Sequence, residues 1–414
     1  MNAQLNSLRI NPERLRADFD TLAQIGSTGD GGVHRPSLSD AHLAARAWFK
    51  EAIQAAGLEF SQDGAGNHSA TLHCAPPGAK ILLLGSHLDS VPNGGRFDGA
   101  LGVVAALECL RTVKEAGLSL AANLEAIDFT DEEGTLVGLL GSAALAGKLT
   151  QEELHNPRGG REALLTGLAR ADLSEDGLLN AQRDPTALAG YVELHIEQGP
   201  RLLKAGADIG IVTAIVGIAS YHLTFTGRAD HAGTTPIADR LDASQGASAF
   251  TLAVRQIVLD EFPDCVANVG SMSFSPGAFN IVPSQVDLSL EFRAPDSSHF
   301  KRLETSLIER AQMEAERFNL GLEIEFLGRH QPAPMSQTIQ DAIRDAARGL
   351  GLESLPLASG AGHDAQSLAD ICPVGMLFIP SIEGASHSPR EYSLWQDCIN
   401  GANVLLQAAL RLAT

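Results

Sequence analysis

The sequence predicts an α/β protein with an open mixed sheet, interrupted by a smaller inserted domain of β-α-β-β-α-β order, the ferredoxin-like arrangement. In the N-terminal third, helical segments alternate with apolar strands that end in polar residues. From about Ile211 the pattern changes to β-branched, alternating strands separated by two long helices, and the first pattern returns after about His330. At 414 residues the chain is long enough for two hydrophobic cores.

The elements of the larger domain begin near the N-terminus. Asn11 and Pro12 predict the start of a helix that ends at Gly26, and a second helix covers about 40–56 before Gly57. Three buried strands then end in polar residues: AKILLLGSHLDS, LEAIDFTDEEG and YVELHIEQGP. The helix ALGVVAALECLRTVKEAG lies between the first two. Because parallel strands present their carboxyl ends at one edge of a sheet, these polar ends should line a common crevice.

The inserted domain is predicted over residues 213–327, which leaves 1–212 and 328–414 to the larger domain. Its segments follow one another as strand, helix, strand, strand, helix and strand: IVTAIVGIASYHLTFTG, DRLDASQGASAFTLAVRQIVLDEF, VANVGSMSF, VPSQVDLSLEFRA, SSHFKRLETSLIERAQMEAERFN and GLEIEFLGR. The larger domain resumes with the helix DAIRDAARGLG and the strand CPVGMLFIP.

The composition excludes several functional classes. A net charge of -20 argues against a nucleic-acid partner, because little in the chain would neutralise a phosphate backbone. The sequence has no run of about 18 apolar residues, so we predict no membrane span. The N-terminus is not predicted to be a secretory signal. The five cysteines are scattered and odd in number, which favours a reducing compartment. We therefore predict a cytoplasmic protein.

Residues of metal-binding type occur at strand ends and loops far apart in the chain: His87, Asp98, Glu133, His195 and His387. Each alone has a structural alternative. His87 could form a strand-end pair with Asp89, Asp98 could cap a helix, and His195 could be a core histidine. His387 precedes SPRE, which predicts a helix with Ser388 as N-cap and Glu391 closing a capping box. Together the five residues predict a site for a pair of divalent cations.

Two further acids predict catalysis at this site. Glu132 is not needed as a ligand and could act as the general base and acid for a metal-activated water. The Asp89 carboxylate could accept the proton of the non-ligating nitrogen of His87 and so fix its tautomer. An acid run such as 131–133 is also typical of a solvated face. The combination nevertheless predicts a hydrolase.

Three residues of the inserted domain could meet a substrate. Arg293 has the planar fork that binds a carboxylate through two hydrogen bonds, Asn280 offers an amide, and His231 could donate to a developing oxyanion. A surface ion pair for Arg293 and a loop-capping role for His231 are the structural alternatives.

The chain resembles the hydantoinase/carbamoylase-type amidohydrolases, which are related to the dinuclear zinc aminoacylases and carboxypeptidases. The resemblance rests on segments between about residues 80 and 395: GSHLDSVPNGGRFDGALG, TDEEG, HIEQGP, GRADHAGTTP, GAFNIVPSQVDLSLEFR, SGAGHDAQ and IPSIEGASHSPRE. The family includes N-carbamoyl-L-amino-acid hydrolases, β-ureidopropionases and allantoate amidohydrolases. The resemblance implies that the larger domain is catalytic and that the inserted domain is a lid and the dimer interface of a homodimer.

The resemblance also implies roles for individual residues. One metal ion would be held by His87, Asp98 and His195, and a second by Asp98, Glu133 and His387. Glu132 would be the catalytic acid and base. Substrate contacts would come from Gln198, His231, Asn280 and Arg293.

Allantoate enzymes carry an arginine just after the AIVG segment, whereas this chain has Ile218, Ala219 and Ser220 there. The hypothesis is therefore hydrolysis of the carbamoyl group of an N-carbamoyl-L-amino acid, a small ureido substrate with one carboxylate. The alternatives are an allantoate amidohydrolase, an aminoacylase- or dipeptidase-like amidase, and a metal-loaded binding protein. The ligand set favours zinc and also admits manganese, cobalt or nickel.

Overall fold

The computed structural model describes residues 6–414, which divide into two compact units. The first takes in the chain up to Thr213 together with Met335–Leu357 and Gly362–Thr414. The second consists of Ala214–Pro334 and the short segment Ala358–Ala361. The predicted boundary at residue 327 falls inside a strand, and the second unit continues past it.

The helices are α1 (Pro12–Gln24), α2 (Asp40–Ala55), α3 (Ala100–Glu115), α4 (Leu140–Leu145), α5 (Gln151–His155), α6 (Arg161–Arg170), α7 (Glu175–Leu179), α8 (Arg201–Ala205), α9 (Ala243–Glu261), α10 (Ser297–Arg317), α11 (Gln337–Gly349), α12 (Asp364–Leu368) and α13 (Trp395–Leu412). The strands are β1 (Glu59–Gln62), β2 (His68–Leu72), β3 (Ile81–His87), β4 (Asn123–Phe129), β5 (Leu188–Ile196), β6 (Ile209–Ile215), β7 (Gly217–Thr226), β8 (Val266–Ser275), β9 (Gln285–Ala294), β10 (Gly321–His330), β11 (Ala333–Pro334), β12 (Ser354–Ser359) and β13 (Val374–Ile379).

The large sheet is mixed, which confirms the predicted fold class. Its strand order is β1-β2-β4-β3-β5-β13-β6-β11, and β12 also pairs with β6. At its centre β3 runs parallel to β4 and β5, and β5 runs parallel to β13. Helix α3 packs on β3, β4 and β5, and most of its residues are buried. The four parallel strands therefore end at one edge of the sheet, and this edge carries the polar residues described below.

The second unit has the predicted order β7-α9-β8-β9-α10-β10. Its strands form an antiparallel sheet in the order β10-β7-β9-β8. Inward-facing residues alternate along β7 and β9, and α9 and α10 pack on the same sheet over a separate hydrophobic core. The alternation with period two that was visible in the sequence thus corresponds to one buried sheet face.

Two local predictions differ from the structure. The single strand expected over residues 211–227 is two strands, β6 and β7, which belong to different sheets. At the break, a Cβ on Gly217 would lie 2.5 Å from Pro332, so the chain turns where only glycine fits. The helix expected at Ser388 is also wrong, because the next helix in that region begins at Trp395. Among residues 6–414, no helix has both the length and the apolarity needed to cross a bilayer.

Candidate metal centre

Three of the predicted ligands come from the central strands of the large sheet. His87 is the last residue of β3, His195 lies near the end of β5, and Glu133 follows β4 after a short turn. The two histidines are each about 1% exposed, and their rings lie 6.0 Å apart. The adjacency of β3, β4 and β5 accounts for the proximity of residues that are distant in sequence.

Asp98 lies at the centre of the predicted ligands. Its Oδ1 is 2.9 Å from His195 Nε2 and 3.5 Å from His87 Nε2. Its Oδ2 is 3.6 Å from His387 Nε2. Gly99, and not Asp98, is the N-cap of α3, so the helix-capping alternative for Asp98 is wrong. A Cβ at Gly99 would lie 2.4 Å from the His87 ring, so this glycine allows the turn to approach the histidine.

These residues form two groups that could hold metal ions and that share Asp98. The first is His87, Asp98 and His195, and the second is Asp98, Glu133 and His387, with ligand atoms within 4.8 Å of one another in each group. Glu133 Oε2 lies 3.4 Å from His387 Nε2. His87 Nε2 is buried and has no hydrogen-bond partner. Divalent transition metals are typically bound by imidazole nitrogens and carboxylates. The two groups offer both, and the buried His87 Nε2 has no other partner, so these residues fit such a metal.

The ring orientation of both buried histidines suits coordination through Nε2. His87 Nδ1 faces the backbone carbonyl of Asp89 at 3.1 Å, and His195 Nδ1 faces the carbonyl of Ile196 at 2.9 Å. A carbonyl can only accept, so Nδ1 carries the proton and donates it in each ring. Each Nε2 therefore carries the lone pair and faces Asp98, and His195 Nε2 also accepts from the Gly99 N–H at 3.2 Å.

The predicted partnership between His87 and the Asp89 carboxylate needs correction. The carboxylate is 3.6 Å from His87 Nδ1, farther than the backbone carbonyl of the same residue. Its two oxygens instead accept hydrogen bonds from the backbone N–H groups of Glu132 and Glu133, at 3.3 Å each. Asp89 therefore supports the acid run, while its carbonyl group orients His87.

Residues 131–133 form a buried turn and not a solvated face. Asp131 has a positive φ of 57° and accepts backbone hydrogen bonds from residues 136–138. Glu132 Oε2 lies 3.5 Å from His87 Nε2, and only 9% of the Glu132 side chain is exposed. Burial raises the pKa of Glu132 well above its ordinary value, and the neighbouring carboxylates Glu133 and Asp364 raise it further. The turn thus presents two adjacent acids to the site in different directions.

Gln198 also lies close to the candidate ligands. Its Nε2 donates to Asp98 Oδ2 at 2.7 Å and to Ser386 Oγ at 3.2 Å, and its Oε1 is buried without a partner. The other predicted substrate contacts lie in the second unit. His231 Nδ1 accepts from the N–H groups of Gly233 and Thr234, which matches the loop-capping alternative, and Asn280 is exposed.

Arg293 is engaged within its own unit. Its Nε and Nη2 both donate to Glu291 Oε1, at 3.0 and 2.8 Å, and its Nη1 donates to the Gly360 carbonyl at 2.6 Å. One third of the side chain remains exposed, at 33%. The ion-pair alternative therefore describes its present contacts, and Glu291 would have to share the guanidinium with any bound carboxylate.

Sequence reasoning missed several buried polar residues near the strand ends. His363, which lies just before α12, forms a third group of metal-binding type with Glu193 and His195. Both carboxylate oxygens of the adjacent Asp364 are buried without a hydrogen-bond partner. The signal was present in SGAGHDAQ, where a histidine and an acid follow an apolar strand, but no role was assigned to either.

The model of the peptidase family M20/M25/M40 matches residues 83–411, the part of the chain that contains all of the candidate ligands. This chain belongs to that family. The M20/M25/M40 assignment agrees with the resemblance found in the sequence, and the chain is a hydrolase.

Several known proteins match this chain over nearly its whole length. An N-carbamoyl-L-amino acid amidohydrolase of Geobacillus stearothermophilus is 37% identical over 98% of this chain and 99% of its own. A ureidoglycolate hydrolase of Arabidopsis thaliana is 33% identical over 99% and 88%, and an allantoate amidohydrolase of Bacillus subtilis is 31% identical over 95% and 96%. A solved hydantoinase/carbamoylase family amidase from Burkholderia multivorans has a TM-score of 0.88 at 33% identity, covering 98% and 99%.

Proposed function

We propose that this chain hydrolyses the carbamoyl group of N-carbamoyl-L-amino acids, giving the amino acid, CO2 and ammonia, with two divalent cations. The observation that carries the proposal is the central position of Asp98. One of its oxygens faces His87 and His195 and the other faces His387. A carboxylate has two oxygens and can serve two cations in this way, whereas a histidine ordinarily cannot. The substrate class is supported by the G. stearothermophilus relative and by the absence of an arginine at Ile218–Ser220.

When bound, the cations would lower the pKa of a water and polarise the substrate carbonyl. His87, Asp98 and His195 would hold one ion, and Asp98, Glu133 and His387 the other. Glu132 would take the proton of the attacking water and return it to the leaving nitrogen. Its carboxylate lies 3.5 Å from His87 Nε2, beside the candidate ligands. Zinc is the preferred metal, with manganese, cobalt or nickel as alternatives.

We further propose that substrate is bound by Gln198, His231, Asn280 and Arg293. Gln198 has a buried amide oxygen without a partner, which could accept a substrate N–H. Arg293 would bind the substrate carboxylate, and His231 would stabilise the developing oxyanion.

Replacing Arg293 by alanine should raise KM for carboxylate-bearing substrates by about 10- to 100-fold and change kcat less, because a charge-assisted hydrogen bond contributes about 1.5–3 kcal/mol. Steady-state kinetics on an N-carbamoyl amino acid and on its amide derivative would measure this. Arg329→Ala is the matched control, since Arg329 lies in the same unit and pairs with Glu304 at 2.6 Å. An unchanged KM in Arg293→Ala would remove Arg293 from the substrate site.

The test of the proposed function is an assay of both ammonia and free amino acid over a panel of substrates. Metal-free protein reconstituted with each metal would be given N-carbamoyl-L-amino acids, allantoate, ureidoglycolate, N-acyl amino acids and dipeptides. We expect turnover of N-carbamoyl-L-amino acids to exceed that of the others. Preference for allantoate would support the allantoate amidohydrolase alternative. Release of amine from acyl or peptide substrates would support an aminoacylase- or dipeptidase-like amidase. Metal binding without any turnover would support a binding protein.

We also propose a cytoplasmic homodimer that associates through the inserted unit, which would act as a lid. Strand β8 lies at an edge of its sheet, and large apolar side chains are exposed on it and on α9: Val266, Phe274, Leu252 and Leu259. Exposed apolar residues on an edge strand and a neighbouring helix are typical of an interface. The five cysteines are all unpaired, as expected in a reducing compartment. Light scattering of the purified protein tests the dimer.

A further inference from the structure

Glu391 is a buried acid in the loop that follows β13, and it does not form the capping box predicted for it. Only 3% of the residue is exposed. Its carboxylate points away from the SPRE turn, and the hydroxyl of Ser388 is buried without a partner. A buried carboxylate is costly unless its oxygens accept hydrogen bonds, so its partners indicate its function.

One carboxylate oxygen of Glu391 binds the turn that carries Asp98. Glu391 Oε1 accepts from the backbone N–H of Phe97 at 2.9 Å and from that of Asp98 at 3.0 Å. Two converging N–H bonds to one charged oxygen fix the direction of the peptide that bears the Asp98 side chain. These contacts join segments almost three hundred residues apart in the sequence.

The other oxygen binds the loop that carries His387. Glu391 Oε2 lies 2.8 Å from Ser386 Oγ, the residue before His387. Ser386 Oγ in turn lies 3.1 Å from Asp98 Oδ2. Ser386 has one hydroxyl proton, which it can donate to either carboxylate, so its oxygen links Glu391 to the oxygen of Asp98 that faces His387.

Gly95 provides the space for this arrangement. A Cβ built on Gly95 would lie 1.9 Å from both Cδ and Oε1 of Glu391. A methyl group at this position would therefore displace the carboxylate. The glycine and the acid thus depend on each other, although neither is a candidate metal ligand.

We propose that Glu391 is a positioning residue that holds Asp98 and His387 in the relative positions needed to bind the two cations. This inference rests on the proposed metal centre. Without the carboxylate, the N–H groups of Phe97 and Asp98 would lose their acceptor, and the Asp98 turn and the His387 loop would no longer be joined through it. Outer-shell partners of this kind typically change metal affinity by about 10- to 100-fold.

The experiment is a competitive titration of metal-free protein with Co²⁺ against a chromophoric chelator. In Glu391→Ala, both Co²⁺ affinities should fall by about 10- to 100-fold, because Asp98 is common to both groups. Gly95→Ala should give the same loss with Glu391 present, since the added methyl group displaces the carboxylate. If Glu391→Ala does not yield folded protein, Glu391→Asp, which shortens the side chain by one methylene, should show a loss of the same kind.

Glu391→Gln is the rescue variant. Its amide oxygen can still accept from both N–H groups, and its amide nitrogen can donate to Ser386 Oγ, which leaves the Ser386 proton for Asp98. Its Co²⁺ affinities should therefore stay close to those of the wild type. A merely structural role would lower the melting temperature of the metal-free variants and leave the Co²⁺ affinities of folded protein unchanged, which would overturn the proposal. A wild-type protein that binds no Co²⁺ would instead overturn the metal centre itself.

Discussion

Glu132→Gln should lower kcat by about 10²- to 10⁴-fold while leaving metal content unchanged, because general acid–base catalysis contributes on that scale. Glutamine has nearly the same shape as glutamate but can neither accept a proton from water nor return one to the leaving nitrogen. In the structure Glu132 is within 3.5 Å of His87 Nε2 yet belongs to neither group of candidate ligands that contains Asp98. Stopped assays and metal analysis on the same preparation would measure both quantities.

The adjacent residue supplies a matched control for this experiment. Glu133→Gln makes the same chemical change one residue away, in the same turn supported by Asp89. Because Glu133 belongs to a candidate ligand group and Glu132 does not, Glu133→Gln should lose metal together with activity. If Glu132→Gln turned over substrate at the wild-type rate, or if it lost metal as Glu133→Gln should, the assignment of the two acids would be wrong.

The second large effect is expected for Asp98→Asn. The amide offers one oxygen in place of two and carries no charge, so it cannot serve both groups of ligands. We expect loss of both metal ions on dialysis, with an affinity change that exceeds the about 10- to 100-fold typical of outer-shell changes. Metal content by elemental analysis and activity after restoring excess metal would test this.

A buried acid elsewhere in the same unit is the control for Asp98→Asn. Glu108 is fully buried and pairs with Arg14 at 2.6 Å. Glu108→Gln should lower the free energy of unfolding and leave the metal content unaltered. Retention of both metal ions by Asp98→Asn would contradict the bridging role.

The candidate ligands could be predicted from sequence because each follows a recognisable apolar strand or a glycine-rich turn. The runs ending at His87 and His195 are β3 and β5, which are parallel neighbours with carboxyl ends at the same edge. The order of the second unit was also predictable, since alternation with period two along β7 and β9 reflects one buried sheet face.

The errors occurred where a local pattern competed with a distant partner. SPRE has the composition of a capping box, yet Glu391 binds the N–H groups of Phe97 and Asp98. Asp89 is two residues from His87, yet its carboxylate binds the acid turn that follows β4. In both cases a charged side chain satisfied buried backbone donors from another part of the chain, and no local pattern records that requirement.

By itself the sequence determined the fold class, the order of elements in the inserted domain and the residue types available at the strand ends, because these depend on hydrophobic periodicity and on local turn chemistry. Only the tertiary structure decided which atoms face one another: that Asp98 stands between the histidines, that the Asp89 carbonyl orients His87, and that Glu391 joins the two loops. The physical reason is that a buried polar atom takes whichever partner the packed chain brings within hydrogen-bond distance, and that partner is seldom its neighbour in sequence.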